Sequence, residues 1–431
     1  MQVGTPDSLV SIRTHATGPR ARPTRSLSAE SIGVPRPALE LADIFREHGP
    51  GYRQSHGLPL DQLRVMRAIE ICRTAALGGH IEQCSHCPYT YRAYNSCRNR
   101  HCPKCQSVAR AKWVESRKLE LLPVEYFHVV FTLPEPIAQV ALQNKTVVYN
   151  ILFRASAETL LTIAGDPQHL GAGIGFFSVL HTWGQNLLHH PHLHCVVPGG
   201  GLSPDQQSWI ACRPGFFLPV RVLSRLFRRL FLEQLQKAFD QGQLQFFGDL
   251  EPLQEVQAFT RHLAPLKEAE WVVYAKPPFG GPQQVLEYLG RYTHRVAISN
   301  QRLLAVENGQ VSFQWKDYRT QDQSNNSKVM TLKVDEFIRR FLLHALPPGL
   351  RRIRYGGLLA NCRRKDNLAR CRQLLAPLAD LLPQPAQCPS LCETLAAESL
   401  RHCPECGIGT MIRVLILPAY RWPTIPPPDS S

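Results

Sequence analysis

His192-Leu-His-Cys-Val-Val-Pro-Gly-Gly-Gly-Leu202 reads as a β-strand running into a glycine turn. Alternation along a strand puts His192 and His194 on one face, roughly 6–7 Å apart along the chain. That spacing suits two ligands of one ion. A His-x-His pair alone is more often a satisfied pair within a fold, so its context has to raise it. Gln185 lies seven residues earlier, at the end of the strand-like run IGFFSVLHTW. A hairpin through NLLHHP would bring its amide oxygen beside the two imidazoles. His189 and His190 fall in that turn and are expected to be exposed.

Working outward, FHVVFTLP and EWVVYAKPP are further strand-like runs. Residues 144–164, 219–240, 282–294 and 335–345 suit helices. RLLAVENGQVSFQW reads as a hairpin with Asn308-Gly309 as its tight turn. Strands far apart in sequence and interleaved with helices make the central region α+β. Within the 282–294 helix, Tyr288 and Tyr292 share a face, about 6 Å apart in rise. An aromatic core stripe explains such a pair better when it stands alone. Arg291 and Arg295 flank it and suit phosphate.

The two constellations together suggest one reaction. A divalent cation held by two histidines and a polar third ligand polarises a scissile phosphate. A tyrosine hydroxyl attacks phosphorus, leaving a 5′-phosphotyrosine and a free 3′-OH. The ester keeps the bond energy, so no ATP is needed. The chain accordingly has no G-x-x-x-x-G-K-[ST] phosphate loop.

Fourteen cysteines are present, five of them between Cys84 and Cys105 and four between Cys388 and Cys406. Clustering of this kind in a chain expected to be cytosolic points to metal rather than disulfides. Cys84-x2-Cys87 followed by Cys102-x2-Cys105 predicts one structural zinc site. Cys97, His80, His86 and His101 are substitute ligands, although surface or core roles suit them better. Cys72 belongs to the apolar stripe of a helix over residues 61–77. Arg98, Arg100 and Lys104, among the knuckles, suit phosphate contacts. Cys388, Cys392, Cys403 and Cys406 form a candidate second zinc site, with His402 as a substitute.

Lys plus Arg is 49 against 34 for Asp plus Glu, a net charge of +15 over 431 residues. That surplus favours a polyanionic partner, nucleic acid above all. Hydrophobic residues make up 44%, too many for a chain disordered throughout. No uninterrupted apolar run approaches the roughly 18 residues of a membrane span. The first forty residues, rich in Ser, Pro and Arg, have no apolar signal core. A cytoplasmic protein without a membrane partner is expected.

At these residues the chain resembles the HUH-type rolling-circle transposases of the insertion-sequence ninety-one family. The His-hydrophobic-His motif is matched by His192-Leu193-His194. The family's zinc-binding region is matched by GGHIEQCSHC and NSCRNRHCPKCQ. Its transposase domain is matched by YFHVVFTLP, HPHLHCVVPGGGL and YLGRYTHRVAISNQRL. The resemblance implies an HUH endonuclease fold: an antiparallel sheet with flanking helices, the HUH strand central, preceded by a helical zinc-binding domain. It implies Mg²⁺ or Mn²⁺ at His192 and His194, with Gln185 as third ligand, and Tyr288 and Tyr292 as nucleophiles. The expected partner is DNA, as single strands or as the hairpin ends of the element. The organisation expected is a disordered basic tail over 1–40, a zinc- and DNA-binding domain over 41–122, a catalytic domain over 123–350 and a C-terminal region over 351–431.

Other readings use the same residues. A plasmid replication initiator or relaxase shares the chemistry, but the zinc module beside this catalytic order favours a transposase. A non-catalytic zinc-dependent regulator explains charge and cysteines but leaves the His and Tyr motifs to chance. A metal-dependent phosphoesterase would use the histidines and bury the tyrosines.

Overall fold

The computed structural model describes residues 39–118, 120–276, 296–316, 327–379 and 402–420. The N-terminal module runs α1 (Leu41–Ser55), α2 (Leu60–Glu70), β1 (Gly79–Cys84), β2 (Thr90–Tyr94) and α3 (Pro103–Lys118). Then come β3 (Tyr126–Thr132), α4 (Glu135–Gln143), α5 (Lys145–Gly165), β4 (Gly175–Trp183), β5 (His189–Pro198), β6 (Gly200–Leu202) and β7 (Trp209–Ala211). α6 (Val220–Asp240), α7 (Val256–Glu268) and β8 (Val273–Lys276) complete the central region. Beyond it lie β9 (Leu303–Glu307), β10 (Gln310–Lys316), β11 (Ser327–Lys333), α8 (Val334–Leu343), β12 (Ile353–Gly357), α9 (Arg364–Ala379) and β13 (Met411–Leu417).

A five-stranded antiparallel sheet, ordered β12-β4-β5-β3-β8, carries the fold, with the His-x-His strand β5 in its centre. One face is apolar. Phe127, Val129 and Phe131 of β3, Leu180 of β4, and Leu193, Cys195 and Val197 of β5 bury there against α5 and α6. Each fully buried Phe or Leu contributes about 1.5–3 kcal/mol, so the register of these strands is firmly set. A one-residue slip of β5 would drive His192 and His194 into the apolar face. The register that builds the core therefore also presents the histidines on the opposite face.

That opposite face is divided. Tyr126, Phe177, Val179 and Val196 form a small apolar cluster, with Trp113 of α3 packed on it. The remainder carries histidines. α5 is long and apolar enough to cross a membrane by length and composition. The fold instead places it in the core, with Val148, Tyr149, Ile151 and Leu152 fully buried.

The N-terminal helices share a second core with Phe313 of β10 and Phe337 and Phe341 of α8. The hairpin at Asn308-Gly309 is present, both residues at positive φ (50° and 70°), as a tight turn between right-twisted strands requires. β1 pairs with β2 on one side and with β13 on the other, making a three-stranded sheet from the two ends of the described chain. Sequence reading assigns no strand there.

Candidate metal centres

Three imidazoles converge on the histidine-bearing half of that face of the central sheet. His192 and His194 project from β5, and His181 of β4 lies directly opposite His192 in register. The ligand nitrogens of the three lie within 4.8 Å of one another. Ring centroids are 4.4 Å apart for His181 and His194 and 4.8 Å for His192 and His194. His181 and His194 are buried; His192 is half-buried.

Hydrogen bonds orient two of the rings. His192 Nδ1 lies 2.7 Å from the His190 carbonyl, which only accepts, so the proton sits on Nδ1 and Nε2 is left as a ligand. His194 Nδ1 lies 2.8 Å from Nε2 of His128, a buried residue of β3. When Nδ1–H of His194 donates to His128, the ligand lone pair falls on His194 Nε2. Burial, with the nearby Lys276 charge, pushes His128 down to about 3, so it is neutral and its ring can accept. Such outer partners fix the tautomer and orientation of metal-binding imidazoles.

Gln185 is the third ligand expected from the sequence. It lies in the turn beyond the Trp183–His189 pair, and its backbone carbonyl accepts a 2.5 Å hydrogen bond from Arg302. His181 supplies a third nitrogen donor. A ladder continued from Trp183–His189 would set Pro191 opposite His181. A bulge between His181 and Trp183 shifts the register by one and sets His192 there. No motif spacing reports a bulge, although the His of IGFFSVLHTW is visible in sequence. His190 is exposed as expected. His189 is not: Tyr149 Oη lies 2.8 Å from its Nε2, and burial pushes it down to about 3. Tyr274, half exposed, pairs with Val130, which in turn pairs with His194, so it shares the histidine face.

The cysteines regroup. Cys84, Cys87, Cys102 and Cys105 do not form one site. Cys102 and Cys105 join Cys72 and Cys97; Cys84 and Cys87 join Cys403 and Cys406. In the first cluster, Cys72–Cys105, Cys72–Cys102 and Cys97–Cys105 are each 3.6 Å apart between sulfurs. Those separations far exceed a disulfide bond and match the roughly 3.8 Å edge of a tetrahedron with Zn–S bonds of about 2.3 Å. Contacts from Cys102, Cys72 and Cys97 pull the Cys105 thiol down, and contacts from Cys105, Cys72 and Cys97 push Cys102 up, so the cluster titrates as a unit. Cys72 sits just past α2 and serves the cluster rather than an apolar stripe. Cys388 and Cys392 lie outside the described residues. His101 accepts from the Leu346 amide, and His80 pairs with Glu82. His402 is exposed.

Two residues expected at phosphate are used inside the fold. Arg100 donates to the carbonyls of Leu350 (2.5 Å) and Pro347 (2.8 Å), and burial lowers its pKa. Lys104 forms an ion pair with Glu40. Arg98 is exposed. Tyr288, Tyr292, Arg291 and Arg295 lie outside the described residues; β8 ends at Lys276, opposite His128.

Comparison with known proteins adds lineage to this geometry. A family model described as "Putative transposase" matches residues 175–366, and one described as "Transposase zinc-binding domain" matches residues 44–133. The chain is 63% identical over 392 residues to "Putative transposase y4qJ" of Sinorhizobium fredii, covering 90% of this chain and 98% of that protein. It is 28% identical over 311 residues to "Transposase for insertion sequence element IS801" of Pseudomonas savastanoi pv. phaseolicola, covering 71% and 72%. Among solved structures, "Conjugative Relaxase TrwC in complex with mutant OriT Dna" aligns over 57% of this chain and 72% of that chain, at 14% identity and a TM-score of 0.21.

Proposed function

The chain belongs to the insertion-sequence ninety-one family of transposases, and from that premise we propose that it nicks and rejoins single-stranded DNA through a 5′-phosphotyrosine. The observation that carries this reading is the convergence of His181, His192 and His194 on one face of the central sheet. These three would hold Mg²⁺ or Mn²⁺. As nitrogen donors, they favour Mn²⁺ of the two. A bound divalent cation supplies charge stabilisation at the scissile phosphate.

The rest falls to the chain's own residues. The hydroxyl oxygen of Tyr288 or Tyr292 bonds to phosphorus as the P–O3′ bond breaks, and the 3′ oxygen leaves as a hydroxyl. A tyrosine with a pKa near 10 is a phenol at pH 7, so its proton is lost during attack rather than before it. Two tyrosines permit two successive transfers, one holding the first 5′ end while the other cuts. The segment bearing them follows directly on Lys276, which lies opposite His128. Arg98, Arg291 and Arg295 are the proposed phosphate contacts, and Tyr274 offers an exposed ring for a base to stack on. Cys72, Cys97, Cys102 and Cys105 would hold a structural Zn²⁺ within the zinc-binding segment. The net charge of +15 supports DNA as partner, with binding that weakens steeply as salt rises. A cytoplasmic site of action and hairpin ends of the element as substrate complete the proposal.

The test is adduct mapping. A single-stranded oligonucleotide carrying an element end, incubated with Mn²⁺, should become covalently attached at Tyr288 or Tyr292. Attachment at Tyr274 or any other residue would overturn the nucleophile assignment. Cleavage without an adduct would turn the reading into a metal-dependent phosphoesterase.

A further inference from the structure

The segment matched as a zinc-binding domain ends at residue 133 and contains six of the eight clustered thiols. Cys72, Cys97, Cys102 and Cys105 are a complete set of four inside it. Cys84 and Cys87 are half a set. We propose that Cys84, Cys87, Cys403 and Cys406 hold one structural Zn²⁺, a site that the zinc-binding segment cannot complete without residues 402–420.

Several independent features support this closure. The Cys84–Cys406 and Cys87–Cys403 sulfurs are 3.7 and 3.6 Å apart, again close to the roughly 3.8 Å edge of a zinc tetrahedron. Both knuckles aim amide N–H groups at sulfur. His86 and Cys87 donate to Cys84 at 3.3 and 3.4 Å, and Gly409 donates to Cys406 at 3.4 Å. Donors directed at sulfur favour thiolate, the form that binds metal. The backbone is also pressed onto the cluster. A Cβ at Gly409 would lie 2.2 Å from the Cys84 sulfur, and Gly407, just past Cys406, has φ +66°. Both positions suit glycine and little else.

The strand beside the site holds itself weakly. β13 lies at the sheet edge, paired with β1 from Gly79–Leu417 to Cys84–Met411. Its apolar side chains are largely exposed: Val414 is 53% and Ile416 73% accessible. Little apolar burial therefore offsets the entropy of closing a loop of 316 residues between Cys87 and Cys403. A four-thiolate metal site supplies what the strand's packing does not.

The test uses the full-length protein. Metal analysis should find two zinc ions per chain. The double variant Cys403→Ser/Cys406→Ser should retain one. Its amide exchange should quicken at residues 79–84 and 411–417, while residues 175–198 stay protected. Cys388→Ser/Cys392→Ser should leave both ions in place. Should the double variant fold poorly, Cys403→His offers a second reading: cobalt substitution should then give one site with four sulfur ligands and one with three sulfurs and a nitrogen. Two ions retained in the double variant, a Cys84–Cys406 disulfide by intact mass, or loss of zinc on changing Cys388 and Cys392 would each overturn the proposal.

Discussion

The histidine centre and the thiol clusters are both metal-ligand sets, but they relate to the fold in opposite ways. His181, His192 and His194 stand on two neighbouring strands whose other faces build the main core. That scaffold holds without a metal. Cys72, Cys97, Cys102 and Cys105 come from the end of α2, a loop and the start of α3. Cys72, Cys102 and Cys105 are buried in the second core, so without an ion the packing that joins those points would close over a cluster of bare thiols. Metal should therefore be dispensable for folding at one centre and indispensable at the other.

The largest effect expected is at the thiols. Cys102→Ser should lose zinc and unfold the N-terminal module, because structural zinc contributes on the order of 10 kcal/mol to small modules. Amide exchange reads it: residues 60–118 should lose protection while β4 and β5 keep theirs. Unchanged protection in the zinc-free variant would erase the contrast.

Next comes the histidine centre. His194→Ala should lower nicking about 10²–10³-fold, the usual scale for losing an electrostatic stabiliser. Its melting temperature should stay within a few degrees of wild type. A melting temperature as low as that of Cys102→Ser would show that the imidazoles hold the fold as well. A milder form is His128→Ala, which removes only the partner of His194 Nδ1. Mn²⁺ affinity should fall roughly 10–100-fold, as for other outer-sphere changes. Titration by calorimetry decides it, and unaltered affinity would reduce His128 to packing.

The smallest effect concerns acid. His344 is fully buried beneath the β4–β5 turn, bonded to Thr182 and the Leu187 carbonyl, and burial pushes it down to about 3. The unfolded chain takes up this proton near pH 6.5 and the folded one only near 3. Stability is therefore full above pH 6.5 and falls as pH drops toward 3. The loss from this one group is roughly 2 kcal/mol between pH 6.5 and 5. His344→Asn should flatten the decline in melting temperature over that window. Identical slopes would mean that other buried histidines, such as His101, carry the acid sensitivity.

Local rules in the sequence determined a good deal. Alternation along HLHCVVP fixed two imidazoles on one face, and apolar partners at Leu193 and Cys195 fixed the other. Asn308-Gly309 marked its turn, and the C-x2-C spacings marked half-sites for metal. Each of these depends on residues within a few positions of one another. Tertiary structure decided how the halves combine. A bulge between His181 and Trp183 moved the register by one residue, bringing His181 to the centre. The β1–β2 hairpin carried Cys84 and Cys87 toward β13, while the start of α3 turned Cys102 and Cys105 back to Cys72. A knuckle presents two thiolates and leaves its partner unspecified, since any second pair at the right distance completes the tetrahedron. Likewise the charge of Arg100 and Lys104 was legible, but the carbonyls and the Glu40 carboxylate that claim them lie far away in sequence. Spacing along a chain encodes short-range geometry, whereas ligand sets and ion pairs are chosen by packing over hundreds of residues.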